Sequence, residues 1–144
     1  MLEQETVIPS FTSKNESIAE LLDYMHEIED LKALGNLAEW DQNTEMPKGA
    51  AEVRGYQMAA LQGILHERWT TQRLGALLSE LSEVTRRSDY SDADRGLVRE
   101  ARRNYDRATK LPRKLVEEIA RVQAASFEAW RRAREHNDFA SFAP

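Results

Sequence analysis

The run Leu34-Gly35-Asn36-Leu37-Ala38-Glu39-Trp40-Asp41-Gln42-Asn43-Thr44-Glu45-Met46-Pro47-Lys48-Gly49-Ala50-Ala51 decides how the chain folds. Leading into it, Ile18, Leu21, Leu22, Met25, Ile28, Leu31, Leu34, Leu37, Ala38 and Trp40 recur at intervals of three and four, the spacing of one buried side of an α-helix. Pro47 biases its predecessor away from helical geometry and then suits the first turn of a new helix. A first helix therefore starts between Ser13 and Ser17 and ends before Glu45, and a second runs back from about Ala50 to Trp69. About 27 residues at ~1.5 Å each make the first a rod of roughly 40 Å. The two form a long antiparallel hairpin.

On the second helix Val53, Tyr56, Ala60, Leu61, Ile64 and Leu65 are expected inward, while Gly55, Ala59 and Gly63 form a ridge at intervals of four. Such a ridge lets a neighbouring helix approach closely, at a cost of ~1 kcal/mol per interior Gly relative to Ala. Thr70 or Thr71 caps a short third helix carrying Leu74, Leu77, Leu78 and Leu81. After a polar loop from Arg86 to Tyr90, Ser91 and Asp94 form a capping box. That box opens a fourth helix with Leu97, Val98, Ala101, Tyr105 and Ala108 inward. Pro112 starts a fifth, with the stripe Leu115, Ile119, Val122, Ser126, Trp130 and Ala133; it ends near His136-Asn137, and Asp138 can cap another at Phe139. No segment alternates apolar and polar residues long enough for a sheet. The fold class is all-α: a hairpin plus three further helices in one segment over 1–144, with residues 1–12 expected to be flexible.

Composition narrows the function classes. The 144 residues are 41% hydrophobic and 31% charged with only 6 Gly and 4 Pro, which excludes collagen-like and low-complexity chains. Cysteine is absent, so disulfides, thiolate zinc sites and cysteine nucleophiles are excluded, and a reducing cytoplasmic location is expected. The opening MLEQETVIPSFT lacks the basic start and apolar run of a signal peptide. The longest stretch without Asp, Glu, Lys or Arg, Gly55 to His66, is twelve residues, short of the ~20 a membrane span needs. No membrane partner is expected.

Charge is unevenly placed: 20 basic and 25 acidic side chains divide as net −8 over residues 1–72 and net +3 over 73–144. Glu16, Glu20, Asp23, Glu27 and Asp30 descend one side of the first helix, and Arg95, Arg99, Arg103 and Arg107 recur every four residues on the fourth. The two stripes are expected on neighbouring surfaces. Without an aromatic-rich basic groove, the arginines read as solvated or ion-paired, and no nucleic-acid partner is expected.

A zinc-peptidase helix needs two His four apart with a Glu beside the first. His26-Glu27-Ile28-Glu29-Asp30 and His66-Glu67-Arg68-Trp69-Thr70 both lack the second His, which makes each histidine a surface or cap residue. A di-iron bundle would need two Glu-x-x-His pairs; Asp23-x-x-His26 comes nearest. G-x-S-x-G, P-loop and G-x-G-x-x-G patterns are missing as well. The residues by themselves assign no catalytic and no metal-binding position.

The run Trp40-Asp41-Gln42-x-Thr44-x-Met46-Pro47-x-Gly49 closely resembles the N-terminal hairpin of the carboxypeptidase Taq family of zinc metallocarboxypeptidases, in which W-D-Q-x-T-x-M-P-x-G joins two long helices. Weaker matches continue at Arg54, Gln57, Leu61 and His66-Glu67, at Leu74-Gly75-Leu77-Leu78, at Lys110-Leu111-Pro112, and from Asn137 to Pro144. The resemblance implies a helical, cytosolic, commonly homodimeric peptidase that removes C-terminal amino acids from peptides. It also implies that the zinc ligands, an H-E-x-x-H helix and a downstream Glu, lie beyond the matched region. The chain is thus expected to be an N-terminal wall or lid of the cleft, inactive alone and binding no zinc itself. Its partners would be the remainder of the catalytic domain, a second copy, and peptide only in the full-length enzyme. Trp40 is expected to bury its ring between helices, and Asp41 to accept N–H bonds from the start of the second helix. A missing remainder would leave apolar surface exposed and favour self-association. The alternative is a stand-alone helical protein-interaction module without enzymatic activity.

Overall fold

Helix ends follow the local chemistry. Thr71 Oγ1 accepts from Leu74 N at 3.3 Å, and Ser91 and Asp94 close a reciprocal capping box at 3.1 and 3.0 Å. The structure, a computed structural model, describes residues 16–47, 49–86 and 89–143; the flexibility expected of residues 1–12 and the exact start of the first helix at 13–15 lie outside them. Five helices follow in order: α1 (Glu16–Thr44), α2 (Ala51–Trp69), α3 (Gln72–Val84), α4 (Asp92–Ala108) and α5 (Arg113–Glu135). A 3-10 turn, Phe139–Ser141, closes the chain, with Asp138 Oδ1 accepting from Ser141 N at 3.2 Å. The described residues include no strand.

The core is built at one end of the hairpin. Ile18 and Leu21 of α1, Leu74, Leu77, Leu78 and Leu81 of α3, and Val98 and Ala101 of α4 form one buried cluster, with Trp69, Leu97 and Tyr105 packed around it. All four α3 leucines are fully buried, each worth about 1.5–3 kcal/mol relative to exposure. Gly75 lets α4 come close: a Cβ there would lie 2.3 Å from the Tyr105 hydroxyl.

At the other end, α2 packs antiparallel on α5 through small residues. Gly55 faces Arg121 and Ala124, and Gly63 faces Arg113 and Glu117. A Cβ at Gly55 would stand 3.3 Å from the Arg121 carbonyl oxygen, so the helix axes are drawn together where side chains are absent. Ala120 and Ala124 are buried on the α5 side. The small-residue ridge of α2 is therefore its packing face, as its spacing predicts.

Three of the expected inward stripes are corrected. Leu34, Leu37 and Trp40 on α1 are exposed, as are Val53, Tyr56, Ala60 and Ile64 on α2 and Leu115, Ile119, Val122 and Trp130 on α5. The physical reason is common to α2 and α5: each has a small-residue side and a large apolar side, and the close approach of the small sides turns the large ones outward. The charge stripes also differ from expectation in their partners. Glu20 takes Arg73 of α3 and Glu27 takes Arg68 of α2, while Arg102 and Arg103 of α4 pair within their own helix with Asp106 and Glu100. Attraction between the two halves of the chain is realised at Glu20–Arg73 and Glu67–Arg113.

Candidate functional site

The turn that ends α1 is built from its own side chains. Asn43 Nδ2 donates to the Glu39 carbonyl and Thr44 Oγ1 to the Trp40 carbonyl, each at 2.8 Å, bonding back onto carbonyls four residues earlier in the last turn. Glu45 N and Met46 N both donate to the Asp41 carbonyl, at 3.0 and 2.9 Å. Gly49 adopts φ +93°, a conformation open to glycine and strained for other residues, and Ala50 N then donates to the Pro47 carbonyl at 3.1 Å.

One turn into α2, Arg54 reaches back across the hairpin. Its guanidinium donates to the Ala38 carbonyl and to the Asp41 carboxylate, with its side chain 14% exposed. Its Nε has no hydrogen-bond partner. Asp41 thus accepts from a side chain of the facing helix, where N–H bonds from the start of α2 were expected. The helix ends as it does because an arginine on α2 neutralises a carboxylate that the α1 dipole disfavours at that end. Trp40 is corrected too, with 58% of its surface exposed.

Gln42 points the other way. Its Nε2 donates to the Ala124 carbonyl of α5 at 3.3 Å, tying the end of α1 to the third helix of the layer. Beside that link lies a groove of about 560 Å³ between α1, α2 and α5. Its lining includes the apolar Met58, Val116, Ile119 and Phe127 and four carboxamides, Gln42, Asn43, Gln62 and Gln123, with Glu39 as the lining charge. A carboxamide offers donor and acceptor together, as a peptide group does. Such a lining suits an extended peptide segment better than an ion.

Of the family-motif residues, the structure brings Gln42 to the groove and Asp41 to Arg54, spends Thr44 on the helix end and Gly49 on the turn, half-buries Met46, and leaves Trp40 and Pro47 exposed. Arg54, matched to the family on sequence, was given no role there, and Gln62 and Gln123 were not singled out. A signal existed for Arg54, one of only five basic residues in the acidic first half. None existed for Gln62 and Gln123, which belong to helices far apart in the chain.

His66 is held by the end of α4. Its Nε2 lies 3.2 Å from the Ala108 carbonyl and 2.8 Å from that of Leu111. Carbonyls only accept, so that nitrogen carries hydrogen and the residue caps a helix end. Among the described residues, no three His, Cys, Asp or Glu side chains stand close enough together to hold a metal ion. No described helix is long and apolar enough to cross a membrane.

Among the described residues, two carboxylates are perturbed. Hydrogen bonding from Arg73 holds Glu20 below its ordinary value of 4.5, and Arg121 does the same for Glu118. Both sit on the surface, and neither lines the groove.

The helices, the hairpin and the groove can be set beside known proteins. The sequence model of the Carboxypeptidase Taq (M32) metallopeptidase family matches residues 20–144, and the chain belongs to that family. It is 39% identical over 125 residues to Thermostable carboxypeptidase 1 of Thermus thermophilus, a match covering 86% of this chain and 24% of that protein. Carboxypeptidase 1 of Bacillus subtilis is 26% identical over 125 residues, covering 87% and 25%. Among solved structures, the "BsuCP Crystal Structure" superposes at a TM-score of 0.83 with 24% identity, covering 89% of this chain and 25% of that one. "The Structure of CHT" gives 0.63 with 30% identity over the same shares. The chain spans about a quarter of the length of these relatives.

Proposed function

We propose that this chain is the N-terminal helical wall of the cleft of a zinc-dependent metallocarboxypeptidase, one that releases C-terminal amino acids from peptides in the cytosol. The observation that carries the reading is the family match over residues 20–144 of a chain one quarter as long as its relatives. The described residues offer no metal-donor cluster, so in this reading the metal ligands and the general base belong to the remainder of the polypeptide. The zinc there would activate water and polarise the scissile carbonyl. What this chain would do is bind and orient. Gln42, Asn43, Gln62 and Gln123 would pair with substrate peptide groups beside the apolar lining, and the Asp41–Arg54 pair would hold Gln42 at the groove edge. The assembled enzyme would be a homo-oligomer.

The test is release of a C-terminal residue from a blocked dipeptide, with and without chelator. A longer product of the same gene should show release that a chelator abolishes, and the 144-residue chain should show none. Chelator-sensitive release by the 144-residue chain, or none from the longer product supplied with zinc, overturns the proposal. The exposed stripes on α2 and α5 are what a stand-alone interaction module would also display, and a stop codon directly after Pro144 would favour that second reading.

A further inference from the structure

In the groove between α1, α2 and α5 one charge stands among neutral side chains. Glu39 lines it together with Gln42 and Asn43, which follow three and four residues later and so share its side of α1. Among the described residues no cation pairs with Glu39, and none of the lining residues is Lys, Arg or His. Arg54 of α2 and Arg113, Arg121 and Arg131 of α5 are each held by another carboxylate. We propose that Glu39 makes the groove selective for peptides that carry a lysine or arginine side chain.

The fit concerns both parts of such a side chain. Lysine and arginine set a cationic tip on a stem of several methylenes that can lie along apolar surface while the tip stays polar. Met58, Ile119 and Phe127 offer that surface, and Glu39 offers the counter-charge. An acidic side chain would meet repulsion, and a neutral apolar one would gain the lining without the charge. Glu39 is exposed, so its pairing is worth little in affinity and acts mainly on choice of partner. The inference rests on the reading of the groove as a peptide site, and not on turnover.

The probes are tripeptides with alanine at either end, lysine, norleucine or glutamate in the middle, and both termini blocked. They are titrated into the isotope-labelled chain, with the side-chain amide signals of Gln42, Gln62 and Gln123 reporting the groove. The lysine peptide should bind about two- to fivefold more tightly than the norleucine peptide at low salt, and the glutamate peptide most weakly. That order should vanish in 1 M salt and in Glu39→Gln, and should reverse in Glu39→Lys. Equal affinities for lysine and norleucine overturn the proposal and leave the groove's peptide role in place. A lysine advantage that survives Glu39→Gln also overturns it, because the net charge of −5 is then the attractor. So does a lysine peptide with no advantage beside a norleucine peptide that gains from an unblocked N-terminus, since Glu39 then takes an α-ammonium group. No amide shift with any peptide removes this inference and the groove reading together. A lysine advantage without chelator-sensitive release by the longer gene product would leave this inference standing and remove the enzymatic one.

Discussion

Arg54 ties the two helices of the hairpin together, and most of its side chain is out of water. It serves two acceptors, the Ala38 carbonyl and the Asp41 carboxylate, while its own Nε goes unpartnered. Removing the donor takes a partner from both acceptors and a mostly buried side chain from the packing; weakening one acceptor does neither. Arg54→Ala should therefore lower stability by about 2–3 kcal/mol, and Asp41→Asn, at a carboxylate already 38% exposed, by less than about 1 kcal/mol. Urea unfolding midpoints measure both. Equal losses would place the stabilisation in the ion pair itself and not in the carbonyl contact. At this scale the sequence shows that Asp41 needs a donor, from its place at a helix C-terminus, but not which one. The partner is thirteen residues away, on the far side of a turn whose geometry must be known first.

Helix ends were legible because they are local. Ser91 and Asp94 lie three apart and close their box without any other part of the fold. Ser91→Ala should cost about 1 kcal/mol, seen as a lowered melting temperature with the native helical signal otherwise kept. An unchanged melting temperature would show that α4 is held by Val98 and Ala101 alone. Helix faces were less legible. For α3 and α4 one side of the helix is apolar, and that side is buried. For α2 and α5 two sides are non-polar, one small and one large, and periodicity ranks the large one first. Packing chose the small one because helices that meet at Gly55 and Gly63 gain backbone proximity that Val53 or Tyr56 would prevent.

Across the molecule, the surface is laced with ion pairs, and two of them lower a carboxylate's pKa. Glu20 and Glu118 have lowered folded-state pKa values from their arginine hydrogen bonds. A lowered carboxylate contributes stability that is fully present above its unfolded value, the ordinary 4.5, and is lost as pH falls through the folded value. Thermal melting should therefore fall on acidification below about pH 4.5. Glu20→Gln should melt about 1–3 °C below the parent at pH 7 in low salt, with the gap closing as pH falls below the ordinary carboxylate value and in 1 M salt. A gap that persists in acid would assign Glu20 a packing role instead.

What the sequence by itself determined is the local and the covalent: five helices and their caps, the turn through Pro47 and Gly49, the lack of cysteine, the partial zinc motifs, and the motif run that marks the family. Each depends on residues a few positions apart. Only the tertiary structure decided that Arg54 takes Asp41, that four carboxamides from three helices share one groove, and that the large apolar stripes of α2 and α5 face outward. These depend on which of two competing helix faces approaches a neighbour, and that choice is made by close packing between segments distant in the chain.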